Sequence, residues 1–447
     1  MLIRFTVENF LSFKERIDFN MIASPEDRFP HHIVKNEDDA EDIGLLRTSV
    51  IYGANASGKS NLVRSIAFAK KLIIDGVDKN KNIPVKLFKL DKACLTQPAR
   101  FEFEFKYKNK QYAYGFIVNE ASVLEEWLFE IGVNKEIMVF ERQEQTIDFN
   151  FDADLLTNIS KDEKQRLDYE AQGTRRNLLF LTNTIERDVD YFQNIYEWFD
   201  DKLIIIFPRT KPTLLSLLFP NEKDDISEKF CELLHLFDFD IEEVVTNDIE
   251  LDESNIIPDT IKSEVIDDFP HDKEKGMMFL PQFNTAIFKK DGVLLSKELF
   301  LYKKDNSQKN VEFEIKEESD GTQRFIDLIP MLLQLMNQER VFFVDEIENS
   351  LHTLLIQKIF DYILNAPNIR EKPSQLITTT HEVLLLNTAL FRKDEIWFAE
   401  KNKQGISHFF SLANTEIDDL DLVKGYLKGR FGAIPLFQDL NILGKEL

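Results

Sequence analysis

A chain of 447 residues, 43% of them hydrophobic, carries enough apolar material for roughly two to three packed domains. No apolar run approaches ~18 residues and Met1–Val7 has no signal-peptide pattern, so neither a membrane span nor secretion is expected, and Cys94 and Cys231 read as buried thiols of a cytoplasmic protein. A net charge of −24 argues against a nucleic-acid binder, because the lysines at 70–92 and 106–110 form only short patches that read as solvated faces; local DNA contact, or contact through a partner, stays open.

In chain order, Met1–Val7 reads as a strand. Thr48-Ser49-Val50-Ile51-Tyr52 is a second, and Asn61–Phe68 continues as a helix. Between them stands Gly53-Ala54-Asn55-Ala56-Ser57-Gly58-Lys59-Ser60, which fits G-x-x-x-x-G-K-[S/T] at every fixed position. Glycines there let backbone N–H groups of Gly53, Asn55, Ala56, Ser57, Gly58 and Asn61 turn onto phosphates, and the helix N-terminus adds positive potential. Lys59 would reach the terminal phosphates of ATP, and Ser60 would ligate Mg²⁺.

Phe101–Phe105 and Tyr112–Val118 alternate at period two around Lys108-Asn109-Lys110, a hairpin turn; Val123–Glu130 and Glu136–Glu141 extend an antiparallel meander. From 151 to 240 the period is helical, with Ile226, Phe230, Leu233, Leu234 and Phe237 on one face and Leu178–Phe199 similar. Asp248–Lys275, acidic and carrying Pro258 and Pro270, reads as a surface loop or linker. Strand–helix alternation then returns: Val311–Ile315 a strand, Thr322–Asn337 a helix interrupted by Pro330, Leu354–Leu364 a helix, Leu376–Thr379 a buried strand, Glu395–Ala399 and Ser407–Ser411 closing strands.

Three further elements carry chemistry. Val341-Phe342-Phe343-Val344 is a buried strand that ends in Asp345-Glu346, where ligands sit in parallel sheets. Asp345 can hold Mg²⁺ and Glu346 can polarise an attacking water as general base, although any buried strand can end in an acidic turn. Ser319-Asp320-Gly321-Thr322-Gln323 opens a helix; Ser319 is a good N-cap, and the same geometry with Gly321 can cap the γ-phosphate held by another subunit. His381 follows Thr378-Thr379-Thr380 at a strand end, one strand beyond the carboxylate pair, and reads as a catalytic histidine.

In this order the elements resemble the ATP-binding cassette heads of the SMC/RecF class: Gly53–Ser60 as Walker A, Ser319–Gln323 as signature loop, Val341–Glu346 as Walker B, His381 as switch histidine. Glu348-Asn349-Ser350-Leu351-His352 sits where that class has its D-loop, and Glu8-Asn9-Phe10-Leu11-Ser12-Phe13-Lys14 resembles its N-F-x-S-F segment; no Q-loop glutamine is assigned. The resemblance implies an α/β P-loop NTPase with an ABC-type head, a mixed sheet plus antiparallel β lobe, and a helical insertion. The domains then fall at 1–150 for the Walker A part of the head, 151–275 for the helical insertion and acidic linker, and 276–447 for the part with signature, Walker B and switch histidine.

Ser319-Asp320-Gly321-Thr322-Gln323-Arg324-Phe325 and the tail Tyr426–Pro435 further resemble compact ATPases of bacterial anti-phage systems, the PARIS (AriA-like) and RloA-like proteins and the ATPase half of overcoming-lysogenisation-defect nucleases. The stretch after His381 is too short for the Toprim domain of those nucleases, and Asp419-Leu420-Asp421 imitates its D-x-D without a preceding buried strand. The resemblance therefore implies an ATPase that forms homo-oligomers through head-to-tail dimers sandwiching ATP; the region 151–240, rich in apolar residues such as Phe230 and Phe237 yet without a catalytic constellation, is the candidate for further oligomer contacts or for the effector-holding surface. It would act as sensor or scaffold for a separate effector, a Toprim nuclease, under a phage-encoded trigger, with no membrane. A RecF-type DNA-repair ATPase is the alternative and would want a basic groove. A transporter ATPase is disfavoured by the long separation of Ser60 from Ser319.

Overall fold

Four short apolar runs from distant parts of the chain form a parallel sheet. Val341–Val344 pairs with Gln375–Thr380, which pairs with Thr48–Tyr52, which pairs with Ile396–Lys401, all parallel. Ser407–Ser411 closes one edge antiparallel, and Leu203–Ile206 forms the other edge. The first three runs are buried along their whole length, which is why they lack the apolar–polar alternation of a one-sided strand.

The computed structural model describes residues 1–35, 42–132, 135–210, 223–269, 277–280, 283, 285–370, 372–386, 388–415 and 422–427. Contacts divide the chain into two units: Met1–Ile205 with Gln338–Ile347 and Leu364–Leu447, and Ile206–Asn337 with Glu348–Ile363. Asp419–Asp421, 270–275 and the tail beyond Leu427 lie outside the described residues.

The first unit also holds a seven-stranded antiparallel sheet, in the order Thr146–Phe149, Glu136–Gln143, Val123–Ile131, Lys110–Val118, Ala99–Tyr107, Leu2–Glu8, Ile17–Asn20. Phe101, Phe103 and Phe105 are fully buried, whereas the glutamates between them are half-exposed, as the period of two requires. The first hairpin turns on Lys108 and Asn109, both at positive φ (48° and 60°), between paired Tyr107 and Lys110. That geometry matches the right-handed strand twist. Phe105 stacks on Trp198 with centroids 4.2 Å apart, and Phe103 meets Phe199 edge-on at 5.1 Å.

Two expectations for 151–240 need correction. Leu178–Phe199 is not one helix: Phe180–Glu186 and Gln193–Glu197 are separated by Asp188 at φ 54° and a 3-10 turn at Asp190–Phe192. Leu203-Ile204-Ile205-Ile206 is a strand inside the region read as helical, because β-branched residues fit a pleated, half-buried surface better than a helix.

The second unit has its own antiparallel sheet, in the order Glu243–Glu250, Val293–Lys304, Thr285–Lys290, Met277–Leu280, with Asn310–Glu314 also paired to Val293–Lys304. The described part of Asp248–Lys275 is structured rather than a loop. It finishes a strand, then forms the helix Asp259–Asp268 behind Pro258 at the N-cap. Leu251, Ile257, Val265 and Phe269 cluster with Leu280 and Ile287, so sparse apolar residues outweigh the surrounding charge. The helix Asp320–Asn337 runs unbroken through Pro330. An interior proline costs ~3 kcal/mol, which the burial of Phe325, Ile326, Leu328, Ile329, Met331 and Leu332 offsets.

Candidate functional site

All four parallel strands deliver chemistry to the same edge, because each ends C-terminally there. Thr48–Tyr52 runs into Gly53, Val341–Val344 into Asp345, Gln375–Thr380 into His381, and Ile396–Lys401 ends on Lys401 itself. The histidine strand lies between the other two, so His381 stands between the Gly53–Ser60 loop and the carboxylate pair. A cavity of about 490 Å³ opens on this edge, lined by Asn55, Ala56, Ser57, Gly58, Lys59, Ser60, Asn61, Arg64, Glu346, His381 and Lys401, all from the first unit.

The loop is bent as an anion nest. Ala56 is at φ 62° and Gly58 at φ 117°, and Ser57 N–H donates to the Ala54 carbonyl at 3.1 Å. Glycine is required at both ends of the motif. A Cβ on Gly53 would run into the Ala399 carbonyl and, at 2.6 Å, the Ser57 hydroxyl; one on Gly58 would run into the Ser407 hydroxyl. The helix Lys59–Asp75 starts at Gly58 with no side-chain cap, and its first residues Lys59, Ser60 and Asn61 line the cavity; the Asn61 N–H donates to the Gly58 carbonyl at 2.9 Å.

Lys59 is buried, 3% exposed, and folds onto its own loop. Its ammonium donates to the Gly53 carbonyl at 2.6 Å, the Ala54 carbonyl at 3.2 Å and His381 Nδ1 at 3.2 Å. An acceptor Nδ1 requires the neutral Nε2–H tautomer, an assignment made from the hydrogen bonding. Burial and then the Lys59 charge hold the His381 pKa below the ordinary histidine value, partly opposed by Asp345.

Asp345, 3% exposed, gathers two hydroxyl donors on one oxygen: Ser60 Oγ at 3.0 Å and Thr379 Oγ1 at 2.6 Å from Oδ1. Thr379 Oγ1 also accepts from the Glu346 N–H at 2.8 Å. Glu346 is at φ 51°, a backbone region a β-carbon disfavours, and it lines the cavity, whereas Asp345 is buried behind Ser60 and is not among the lining residues.

The residues fit a magnesium nucleoside triphosphate. The nest, the ammonium and the glycine cradle suit phosphate oxygens, and the buried Ser57 hydroxyl has no hydrogen-bond partner among the described residues. Among those residues no cluster of three His, Cys, Asp or Glu could hold a metal. Mg²⁺ takes one or two protein oxygens plus phosphates and waters, and Ser60 Oγ and the Asp345 carboxylate, 3.0 Å apart, are the oxygens that would hold it.

Ser319 and Gly321 belong to the second unit and are not among the residues lining this cavity. Ser319 Oγ accepts from Thr322 N–H at 3.2 Å, capping the helix Asp320–Asn337, and a Cβ on Gly321 would stand 2.9 Å from the Ser350 carbonyl. In the same helix Arg324 is only 5% exposed, and none of its guanidinium nitrogens has a hydrogen-bond partner among the described residues. Sequence reasoning passed over Thr379, Arg64 and Lys401. For Thr379 a signal existed, a hydroxyl-bearing Thr378–Thr380 run at the end of a buried strand; Arg64 and Lys401 had none.

A family model described as "AAA domain, putative AbiEii toxin, Type IV TA system" matches residues 49–387, from inside the strand Thr48–Tyr52 to just past His381. No curated protein matches the chain. Among the described residues no helix is long and apolar enough to cross a membrane.

Proposed function

The chain belongs to this AAA domain family and is a nucleotide-hydrolysing ATPase of α/β P-loop fold, and on that premise we propose that it hydrolyses ATP as the ABC-type subunit of an abortive-infection system. The observation that carries the chemistry is the meeting of Lys59, Ser60, Asp345, Glu346 and His381 on one sheet edge. The loop N–H groups bind the phosphates, and Lys59 exchanges its loop carbonyls for terminal phosphate oxygens. Ser60 and Asp345 would hold Mg²⁺, which would neutralise charge on those oxygens. Glu346 would take a proton from water as its oxygen bonds the γ-phosphorus and the bond to the β-phosphate oxygen breaks, releasing ADP and phosphate, and His381 would hydrogen-bond the γ-phosphate.

Ser319 and Gly321 of a second copy would complete the site, giving a two-fold, head-to-tail dimer across two ATPs. Bound ATP would hold the heads together and hydrolysis would part them. In the cell this cycle would hold and release a separate toxic effector, a Toprim-type nuclease in a PARIS-like system, on a phage-encoded cue. The family's toxin–antitoxin description supports that setting, and the net charge of −24 disfavours the RecF-type alternative.

Mixing tests the shared site. Lys59→Ala subunits and Ser319→Arg subunits should each be inactive alone, and a mixed dimer should regain turnover, because one of its two sites is intact. Mixed oligomers that form yet recover nothing would end the composite-site model. Lys59→Ala should also lose ATP affinity by calorimetry and abolish phage protection in cells carrying the neighbouring effector gene.

A further inference from the structure

Beneath the phosphate loop runs a line of small polar groups that the hydrolysis chemistry does not use. Asn61 Nδ2 lies 2.8 Å from Ser12 Oγ, Ser12 Oγ lies 2.9 Å from Ser407 Oγ, and Ser407 Oγ lies 2.6 Å from the Ser57 carbonyl. A serine hydroxyl has one proton to give, and a carbonyl only accepts. Ser407 must therefore donate to Ser57 and accept from Ser12, and Ser12 must accept from the Asn61 amide. The line has a single direction, Asn61 to Ser12 to Ser407 to Ser57, with a donor and an acceptor matched at every step.

One end of this line is in the loop and the other in the helix that follows it. Ser57 carries the carbonyl of the peptide whose nitrogen belongs to Gly58, and Asn61 lies in the first turn of the helix Lys59–Asp75. In a planar trans peptide the C=O and N–H point in opposite directions. Holding the Ser57 carbonyl down on Ser407 therefore turns the Gly58 N–H away from it, toward the cavity Gly58 lines. Ser12, Ser57 and Ser407 are all at most 4% exposed, so water does not compete for these bonds. The segment that carries Ser12 is itself fixed: Phe10 and Phe13 bridge to each other, Leu11 N–H donates to the Lys86 carbonyl at 2.8 Å, and Ser407 N–H donates to the Ser12 carbonyl at 2.9 Å.

We infer that Ser12 and Ser407 are positioning residues that set the phosphate loop in its N–H-inward conformation before nucleotide arrives, acting through the Ser57–Gly58 peptide and Asn61. The inference rests on the nucleotide-binding reading of the cavity. A contact made equally to bound substrate and to the transition state changes KM and leaves kcat alone. Ser407→Ala and Ser12→Ala should each weaken binding of ATP and ADP alike, roughly 3- to 10-fold for one hydrogen bond, with turnover at saturating ATP within about twofold of wild type. Because they act in one line, the double variant should bind about as weakly as the worse single one.

Calorimetric titration with ADP and with a non-hydrolysable ATP analogue reads these affinities, alongside thermal melts of every variant and Lys59→Ala as reference. Ser12→Thr, which keeps the hydroxyl, should bind as wild type. Single variants that bind like wild type while Lys59→Ala has lost binding would overturn the relay but leave the site assignment standing. Effects that multiply in the double variant, or lowered activity at unchanged KM with lowered melting temperature, would reduce both serines to packing. A wild-type chain that binds neither nucleotide would remove the site assignment and the relay with it.

Discussion

Thr379→Val isolates the group that holds the Asp345 carboxylate and the Glu346 backbone. Its hydroxyl donates to Asp345 Oδ1 at 2.6 Å and accepts from Glu346 N–H at 2.8 Å, and the residue is fully buried. Valine keeps the β-branched shape and removes both bonds. A hydrogen bond to a charged group contributes about 1.5–3 kcal/mol, and a buried N–H left without an acceptor costs about 1–3 kcal/mol. Because the Asp345 oxygen keeps its bond from Ser60 at 3.0 Å, the lower halves of these ranges apply, and a combined loss of about 2–4 kcal/mol follows. The melting transition should fall by roughly 3–6 °C, at about 1.6 °C per kcal/mol for a folded unit of about 300 residues. Turnover should fall further than stability alone explains, since the Glu346 backbone at φ 51° loses the bond that holds it. Differential scanning fluorimetry and steady-state ATP hydrolysis measure both, and Thr379→Ser, which retains the hydroxyl, should recover most of each. Wild-type melting and turnover in Thr379→Val would refute the argument.

Glu346→Gln should leave ATP affinity intact and slow hydrolysis by ~10²–10⁴-fold; near-normal turnover would remove Glu346 as the base. His381 has a folded pKa below that of the unfolded chain, so between the two values the folded state binds fewer protons. Its contribution is therefore present above pH 6.5 and is lost as pH falls through that window toward the folded value. Urea denaturation at several pH values should show wild type losing stability relative to His381→Gln on acidification, and parallel curves would count against it. Arg324, buried with no hydrogen-bond acceptor among the described residues and with its pKa pulled down by burial, should be replaceable by methionine with a gain of about 1–4 kcal/mol. A melting temperature several degrees below wild type in Arg324→Met would show that its charge is needed for folding.

Contiguous patterns made part of this protein readable from its sequence. Gly53–Ser60 between an apolar strand and a helix, and Val341–Val344 ending in Asp345-Glu346, are local statements: a buried strand must be apolar throughout, and a loop that bends backbone N–H groups inward must have glycine where a Cβ would collide. The alternation of Phe101–Phe105 announced a one-sided strand for the same reason. Charge misled at Asp248–Lys275, where Leu251, Ile257, Val265 and Phe269 are too sparse to show a period yet meet in one cluster. Leu203–Ile206 was equally opaque, since four apolar residues fit either period and only pairing in the sheet makes them a strand. The supports of the site belong wholly to tertiary structure. Ser12 and Ser407 stand 395 residues apart and Thr379 is 34 from Asp345, and although Ser12 and Thr379 lie in recognisable segments, nothing local says which distant group each hydroxyl meets. The parallel sheet brings Thr379 beside Asp345, and the turn at Phe10–Phe13, held to Ser407 by a backbone bond, brings Ser12 beneath the loop, so that each buried hydroxyl meets its partner only in the folded chain.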